Sequence, residues 1–150
     1  MTATTSPQSR YAAHADAAAH RRTTALVGLA TWAVATVFIV LNAHDLGEMI
    51  ISPAVAGAVA LLLFGWVLPT QMVSGAPGWA LALSVLAVLL TMPAFWSGLP
   101  AILGVAGAML GAASTSVARS KAYAAVALGS LAVVGYLVLY VVVGLVMGDL

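Results

Sequence analysis

Residues 21–45 read RRTTALVGLATWAVATVFIVLNAHD, in which two arginines precede an apolar run that ends at a polar loop. A helix needs about 20 mostly apolar residues to cross a bilayer, and the run from Thr24 to Leu41 is close to that length. The alternative is a cleaved secretory signal, whose apolar part runs about 7–15 residues before a small-x-small cleavage site. Because this run is longer and Leu41-Asn42-Ala43 makes a poor cleavage site, we predict a retained membrane helix.

The composition of the whole chain also indicates a membrane protein. Its 150 residues have a mean hydropathy of +1.12 and 6% of them are charged, against about 25% in a typical soluble domain. The absence of cysteine excludes disulfides and thiolate chemistry. The formal net charge of +1 is too small to indicate a nucleic-acid partner. The abundance of alanine is typical of a GC-rich bacterial genome.

Four further apolar stretches follow the first. Pro69 is expected to end the second helix, Pro93 to kink the third, and the turn at residues 97–100 to separate the third from the fourth. We predict an all-α integral membrane bundle of five transmembrane helices in one domain, residues 23–150, after a mobile cytoplasmic tail, residues 1–22. The predicted spans cover about 24–41, 49–68, 79–96, 100–117 and 122–147.

The basic residues predict the orientation of this bundle. Lys and Arg concentrate on the cytoplasmic side of membrane proteins. With the N-terminus in the cytoplasm and the C-terminus outside, every basic residue falls on the cytoplasmic side. These residues are Arg10, Arg21, Arg22, Arg119 and Lys121. We therefore expect a multi-pass protein of the cytoplasmic (inner) membrane.

The aromatic residues fit the same frame, because Trp and Tyr gather at the two membrane interfaces. The predicted belts consist of Trp66, Trp79 and Tyr123 on the inner side and of Trp96 and Tyr140 on the outer side. Trp32 is an exception, since it lies near the middle of its span. We interpret it as a packing residue.

One loop concentrates the polar groups on the outer side. His44, Asp45 and Glu48 offer nitrogen and oxygen ligands suited to a divalent metal. The alternative is a solvated connection in which Asp45 caps the second helix. We favour the connection, and we keep His44, Asp45 and Glu48 as the candidate metal or proton site. We expect no cofactor.

Small residues are the main positive feature within the spans. They recur at three- and four-residue steps, which permits close approach of two helices in lipid. The predicted helix-packing residues are Gly104, Gly107, Ala108 and Gly111 on the fourth span and Ala125, Gly129 and Ala132 on the fifth. We expect them to pack these two helices together, and a partner subunit is the compatible alternative.

The last third of the chain resembles a known kind of protein. PAFWSGLPAILGVAGAMLGAAS (residues 93–114), a basic break and AYAAVALGSLAVVGYLVLYVV (residues 122–142) resemble small multi-pass membrane proteins widespread in actinobacteria. Those proteins carry a turn, a glycine-spaced helix, a basic break and another Ala/Gly-rich helix, and they mostly lack an assigned activity. The resemblance therefore implies a membrane protein and no catalytic role.

The functional prediction follows from what the spans lack. None of them contains Asp, Glu, Lys, Arg or His, the usual markers of proton relays and ion paths in membranes. We predict a non-enzymatic accessory or assembly subunit in contact with the lipid bilayer and with a membrane-protein partner or a second copy of itself. The first alternative is a small transporter or channel component, and the second is a membrane enzyme using His44, Asp45 and Glu48. The polar residues available to a transporter are Thr36, Asn42, Ser84, Thr91 and Ser130.

Overall fold

The computed structural model describes residues 7–41 and 43–147, and every regular element among them is helical. This confirms the predicted all-α class for the described part of the chain. The helices are α1 (Pro7–Leu41), α2 (Leu46–Leu62), α3 (Leu68–Ser74), α4 (Pro77–Thr91), α5 (Leu99–Ala113) and α6 (Arg119–Met147). A π-helical turn, Leu63–Val67, joins α2 to α3, and a 3₁₀ turn, Phe95–Ser97, precedes α5.

Three helical segments in the described residues are long and apolar enough to cross a membrane. They are Ala19–Leu41, Leu46–Ser74 and Arg119–Val143. Helices α4 and α5 are apolar but have 15 residues each, about 22 Å at 1.5 Å per residue. The hydrocarbon core is about 30 Å thick, so the two shorter helices do not reach the spanning length by themselves.

Helix α1 passes through the boundary predicted between the tail and the first span. It begins at Pro7 and continues without interruption to Leu41. Its first half is rich in alanine, the residue with the highest helix propensity, which favours continuation beyond the membrane segment. Residues 1–6 of the predicted tail lie outside the described residues.

The second helix continues past Pro69, where the sequence predicts its end. The chain stays helical to Ser74, because a π turn precedes the proline and widens the helix. Within this turn the Leu68 amide donates to the Leu63 carbonyl, five residues back. A proline ring clashes with the carbonyl four residues earlier in a regular α-helix, and the wider turn accommodates it.

Pro93 lies beyond the helix that it was expected to kink. Helix α4 ends at Thr91, and the chain turns through residues 92–98. Gly98 has φ +69°, a left-handed conformation that favours glycine, and the Leu99 amide donates to Ser97 Oγ. The turn predicted at residues 97–100 is therefore present, and it begins several residues earlier than expected.

Helix α5 lies at the centre of the molecule, in contact with α1, α2, α3, α4 and α6. Nine of its 15 residues are buried. Large apolar side chains cover the outside of the bundle, with Leu61 76% exposed and Leu131 59% exposed. Soluble monomers rarely expose continuous apolar surface of this extent, so the exterior fits a lipid environment.

Trp32 packs between helices, as the sequence predicts. Its indole Nε1 donates to the Pro53 carbonyl at 2.9 Å, and a Cβ placed on Gly57 would lie 2.9 Å from the same nitrogen. Pro53 lies two turns inside α2, which begins at Leu46. Gly28, one turn earlier, contacts Phe64, so the partners of α1 run in decreasing order and the two helices are antiparallel.

The described charged side chains separate to the two ends of the bundle. Gly75, between α3 and α4, contacts Val117, just before α6, so Arg119 and the end of α3 share one end. The antiparallel pairing of α1 with α2 brings Arg21 to this basic end. Asp45 lies at the opposite, acidic end, where the Gly98 turn contacts Ile39 near the end of α1.

Candidate functional site

The candidate site is the small-residue interface of α4, α5 and α6. Between α5 and α6, Gly104 and Gly129 face each other so closely that neither has room for a methyl group. A Cβ on Gly104 would lie 2.7 Å from the Gly129 carbonyl oxygen, and one on Gly129 would collide with the Gly104 carbonyl oxygen. Such approach of two backbones maximises van der Waals contact where lipid supplies no hydrophobic driving force.

The other predicted residues, except Gly107, extend this contact along the two helices. A Cβ on Gly104 would lie 3.4 Å from that of Ala132, and one on Gly129 would lie 3.1 Å from that of Ala108. Two turns beyond Gly104 on α5, a Cβ on Gly111 would lie 2.9 Å from the Ala122 carbonyl oxygen and 3.1 Å from the Ala125 Cβ. The structure thus places these small residues in one continuous seam.

Gly107 belongs to a different contact from the one that its spacing predicts. It faces α4, where a Cβ would collide with Ser84 Oγ and lie 3.0 Å from the Ala80 carbonyl oxygen. Residues 104 and 111 are two turns apart on one face of α5, whereas 107 is turned by about 60° from residue 104 and about 40° from residue 111 at 3.6 residues per turn. The sequence groups Gly107 with α6 because spacing does not show which neighbour lies on each side.

Ser84 joins all three helices, a packing role that the sequence did not predict. It is fully buried, and its hydroxyl donates to the Ala125 carbonyl of α6 at 2.7 Å. The signal was present in the spacing of Ala80, Ser84 and Ala87, three small residues on one face of α4. All three are 0% exposed.

The other polar residues that could line a transport path have separate environments. Thr91 donates to the Ala87 carbonyl of its own helix at 2.8 Å, and Ser130 is exposed on α6. Thr36 Oγ1 is buried without a hydrogen-bond partner in the described part of the chain. Asn42 lies outside the described residues. Thr36, Thr91 and Ser130 lie on three different helices, α1, α4 and α6.

The candidate metal residues His44, Asp45 and Glu48 form a helix cap. The Glu48 amide donates to Asp45 Oδ1 at 2.8 Å, and Glu48 Oε2 accepts from the His44 amide at 3.2 Å. The predicted Asp45 cap is therefore present, and the Glu48 carboxylate binds the amide of the residue that precedes the cap. Residues 7–41 and 43–147 hold no group of three or more His, Asp or Glu side chains placed to bind a metal.

The aromatic residues divide into exposed and buried sets. Trp66, Trp79, Tyr123 and Trp96 are 53–70% exposed, as expected of belts facing an interface. Tyr140, predicted for the outer belt, is instead 2% exposed. Its ring packs against those of Phe38, Phe95 and Tyr136 at centroid distances of 4.8–5.6 Å. This aromatic cluster joins α1, the 3₁₀ turn and α6 at the acidic end.

The chain matches no family model, no curated protein and no solved structure. The likeness of residues 93–142 to small actinobacterial membrane proteins stays a prediction. In the described residues, the Ser84 hydroxyl is bonded across helices, and the carboxylates of Asp45 and Glu48 accept hydrogen bonds from backbone amides.

Proposed function

We propose that this chain is a non-enzymatic integral membrane protein, an accessory or assembly subunit that acts through helix–helix contacts in a membrane complex. The proposal is supported by the way its small residues are used. The seam of α5 and α6 is filled by the chain itself, so a partner needs another face of the molecule. The main support for the proposal is a face of α4 that no other part of the described chain covers.

The outer face of α4 combines small residues with an open apolar groove. Gly78 and Ala82 are exposed and four residues apart, the spacing that brings transmembrane helices together. A Cβ on Gly78 would meet no atom within 4 Å. The groove along Leu81, Val85 and Leu89 has a volume of about 480 Å³. Its occupant in this proposal is a transmembrane helix of the partner.

The same proposal includes five passes through a bacterial cytoplasmic membrane, with the N-terminus inside and the C-terminus outside. Support comes from the two ends of the bundle. Arg21, Arg22, Arg119 and Lys121 share the basic end, and the Gly98 turn reaches the acidic end beside Ile39. A hairpin of α4 and α5 that connects the two ends crosses the membrane with the longer helices, and the residues of its turns extend it beyond 15 residues per helix.

The accessory role predicts that outer-face variants of α4 lose the partner while the fold persists. The test is purification of the tagged chain from native membranes in mild detergent, followed by mass spectrometry of co-eluting proteins. Gly78→Leu with Ala82→Leu should lower recovery of the partner at least about tenfold, the effect of about 1.4 kcal/mol. The melting temperature should not fall below that of wild type, because both positions are exposed and leucine has a higher helix propensity than glycine.

Two control variants make the result specific. Gly65→Leu changes another open glycine on a different face and should retain the partner. His44→Ala, Asp45→Ala and Glu48→Ala together should also retain it, at a cost of about 1 kcal/mol for the lost cap. Loss of the partner in the triple loop variant, with retention in the α4 variant, would reject the contact proposal and favour chemistry at the outer loop.

A further inference from the structure

A second apolar groove lies between α1 and α2 and faces away from the bundle. It has a volume of about 210 Å³ and is lined by Ala25, Leu29 and Trp32 on one side and by Leu61 and Gly65 on the other. The groove is shallow because Gly28 packs against Phe64. A Cβ placed on Gly28 would lie 2.5 Å from the Phe64 Cβ. The indole nitrogen of Trp32 is bonded to the Pro53 carbonyl, which leaves an essentially hydrocarbon lining.

A cationic side chain lies at the basic end of this groove. Arg21 is four residues before Ala25 on the continuous helix α1, so it occupies the same face one turn beyond the groove. Arg21 and Arg22 are exposed. Trp66, which follows Gly65 in the π turn, is 70% exposed at the same end, and tryptophan is typical of the membrane interface.

We propose that this groove binds an acyl chain of an anionic phospholipid whose phosphate contacts Arg21. The inference depends on membrane insertion but not on the accessory role. An arginine fork bonds phosphate oxygens in a bidentate manner, and basic residues beside membrane helices attract anionic lipids. The apolar groove supplies the complementary site for the chain.

The dimensions of the groove favour an acyl chain over a helix. An α-helix with its side chains is about 10–12 Å across, whereas the floor here is closed by the contact of Gly28 with Phe64. A helix from a second copy would therefore rest on the rim and leave the groove empty. An unbranched chain enters it, with its headgroup at the level of Arg21.

Native mass spectrometry of the isolated full-length chain tests this proposal. The delipidated protein is mixed with equal amounts of phosphatidylglycerol and phosphatidylcholine that carry identical acyl chains. The wild-type protein should retain more phosphatidylglycerol than phosphatidylcholine. Arg21→Gln should weaken its binding about fivefold, as expected for one basic residue at the surface, and leave phosphatidylcholine unchanged. Gly65→Leu should weaken both lipids, since the new side chain fills the groove.

The matched controls make the same substitutions away from the groove. Arg119→Gln is the control for Arg21→Gln, and Gly78→Leu is the control for Gly65→Leu. Both should bind lipid as wild type does. Equal binding by all four variants, or equal retention of the two lipids by wild type, would overturn the proposal. The proposal would also be overturned if the wild-type protein were a dimer and Gly65→Leu dissociated it. The groove would then be assigned to a second copy of the chain. Failure of the accessory role leaves these outcomes unaffected, since no partner is present.

Discussion

Gly129→Leu should destabilise the bundle severely, because it forces apart two helices that touch through their backbones. A side chain at this position collides with the Gly104 carbonyl oxygen, and its Cβ alone would lie 3.0 Å from the Ala108 amide nitrogen. Both obstacles are backbone atoms of the central helix α5, so relief requires α5 and α6 to separate. Overpacking of a core typically costs about 1–3 kcal/mol and occasionally more. We expect a loss at the upper end of this range or beyond it in the free energy of unfolding.

Reversible unfolding in mixed micelles with increasing denaturing detergent measures this loss. Ser130→Leu is the matched control, because it introduces the same side chain at the next residue, which is exposed on the outer face of α6. It should leave the unfolding midpoint close to that of wild type. Equal tolerance of leucine at positions 129 and 130 would show that the seam of α5 and α6 is absent.

The second large effect is that glycine-to-alanine substitutions should change the free energy of unfolding in opposite directions at different positions. In a helix interior, alanine is favoured over glycine by about 1 kcal/mol. Gly65→Ala should therefore stabilise the protein, and Gly78→Ala, in the first turn of α4, should stabilise it by less, since a Cβ meets no atom within 4 Å at either position. Gly107→Ala should do the opposite. Its Cβ would collide with Ser84 Oγ and lie 2.8 Å from the Ser84 amide nitrogen. We expect a net loss of about 2 kcal/mol, within the overpacking range.

A double-mutant cycle identifies the cause of the Gly107 effect. Ser84→Ala removes the hydroxyl and with it the 2.7 Å bond to the Ala125 carbonyl. In the Ser84→Ala background, Gly107→Ala should cost less than in wild type, by a coupling of about 0.5–3 kcal/mol for residues in contact. The rescue should be partial, because the Ser84 backbone remains in place. Simple additivity of the two changes would contradict the contact between α4 and α5.

Local patterns predicted the helical class and the Asp45 cap, because both depend on residues close in sequence. The packing role of Trp32 was predicted from its depth in the span, while its partner Pro53 lies 21 residues away. Glycine spacing also selected residues that line the seam. Spacing did not assign Gly107 to α4, since periodicity defines the face of a helix and not the helix that covers it. Burial of Tyr140 was missed for a similar reason. Its partners Phe38 and Phe95 come from distant segments.

The proline positions show a second limit of local reasoning. Pro69 carries a strong signal for a helix end, but the preceding π turn, with its bond from Leu68 to Leu63, lets the helix continue. A change in helical pitch depends on how α2 and α3 pack on α1 and α5, which sequence patterns do not show. From the sequence, Ser84 was grouped with the polar residues available to a transport path. A serine in an apolar span looks the same in sequence whether its hydroxyl binds water or a backbone carbonyl.

The central claim is that the hairpin of α4 and α5 crosses the membrane, and the side on which Trp96 lies tests it most directly. The chain has no native cysteine, so single cysteines can be introduced without background. With an impermeant maleimide on intact cells, Asp45→Cys and Trp96→Cys should react. Ser74→Cys and Ser120→Cys should react only after permeabilisation, since both lie at the basic end, which we place in the cytoplasm. Reaction of Trp96→Cys only after permeabilisation would show that the hairpin does not cross, and would contradict the five-span account.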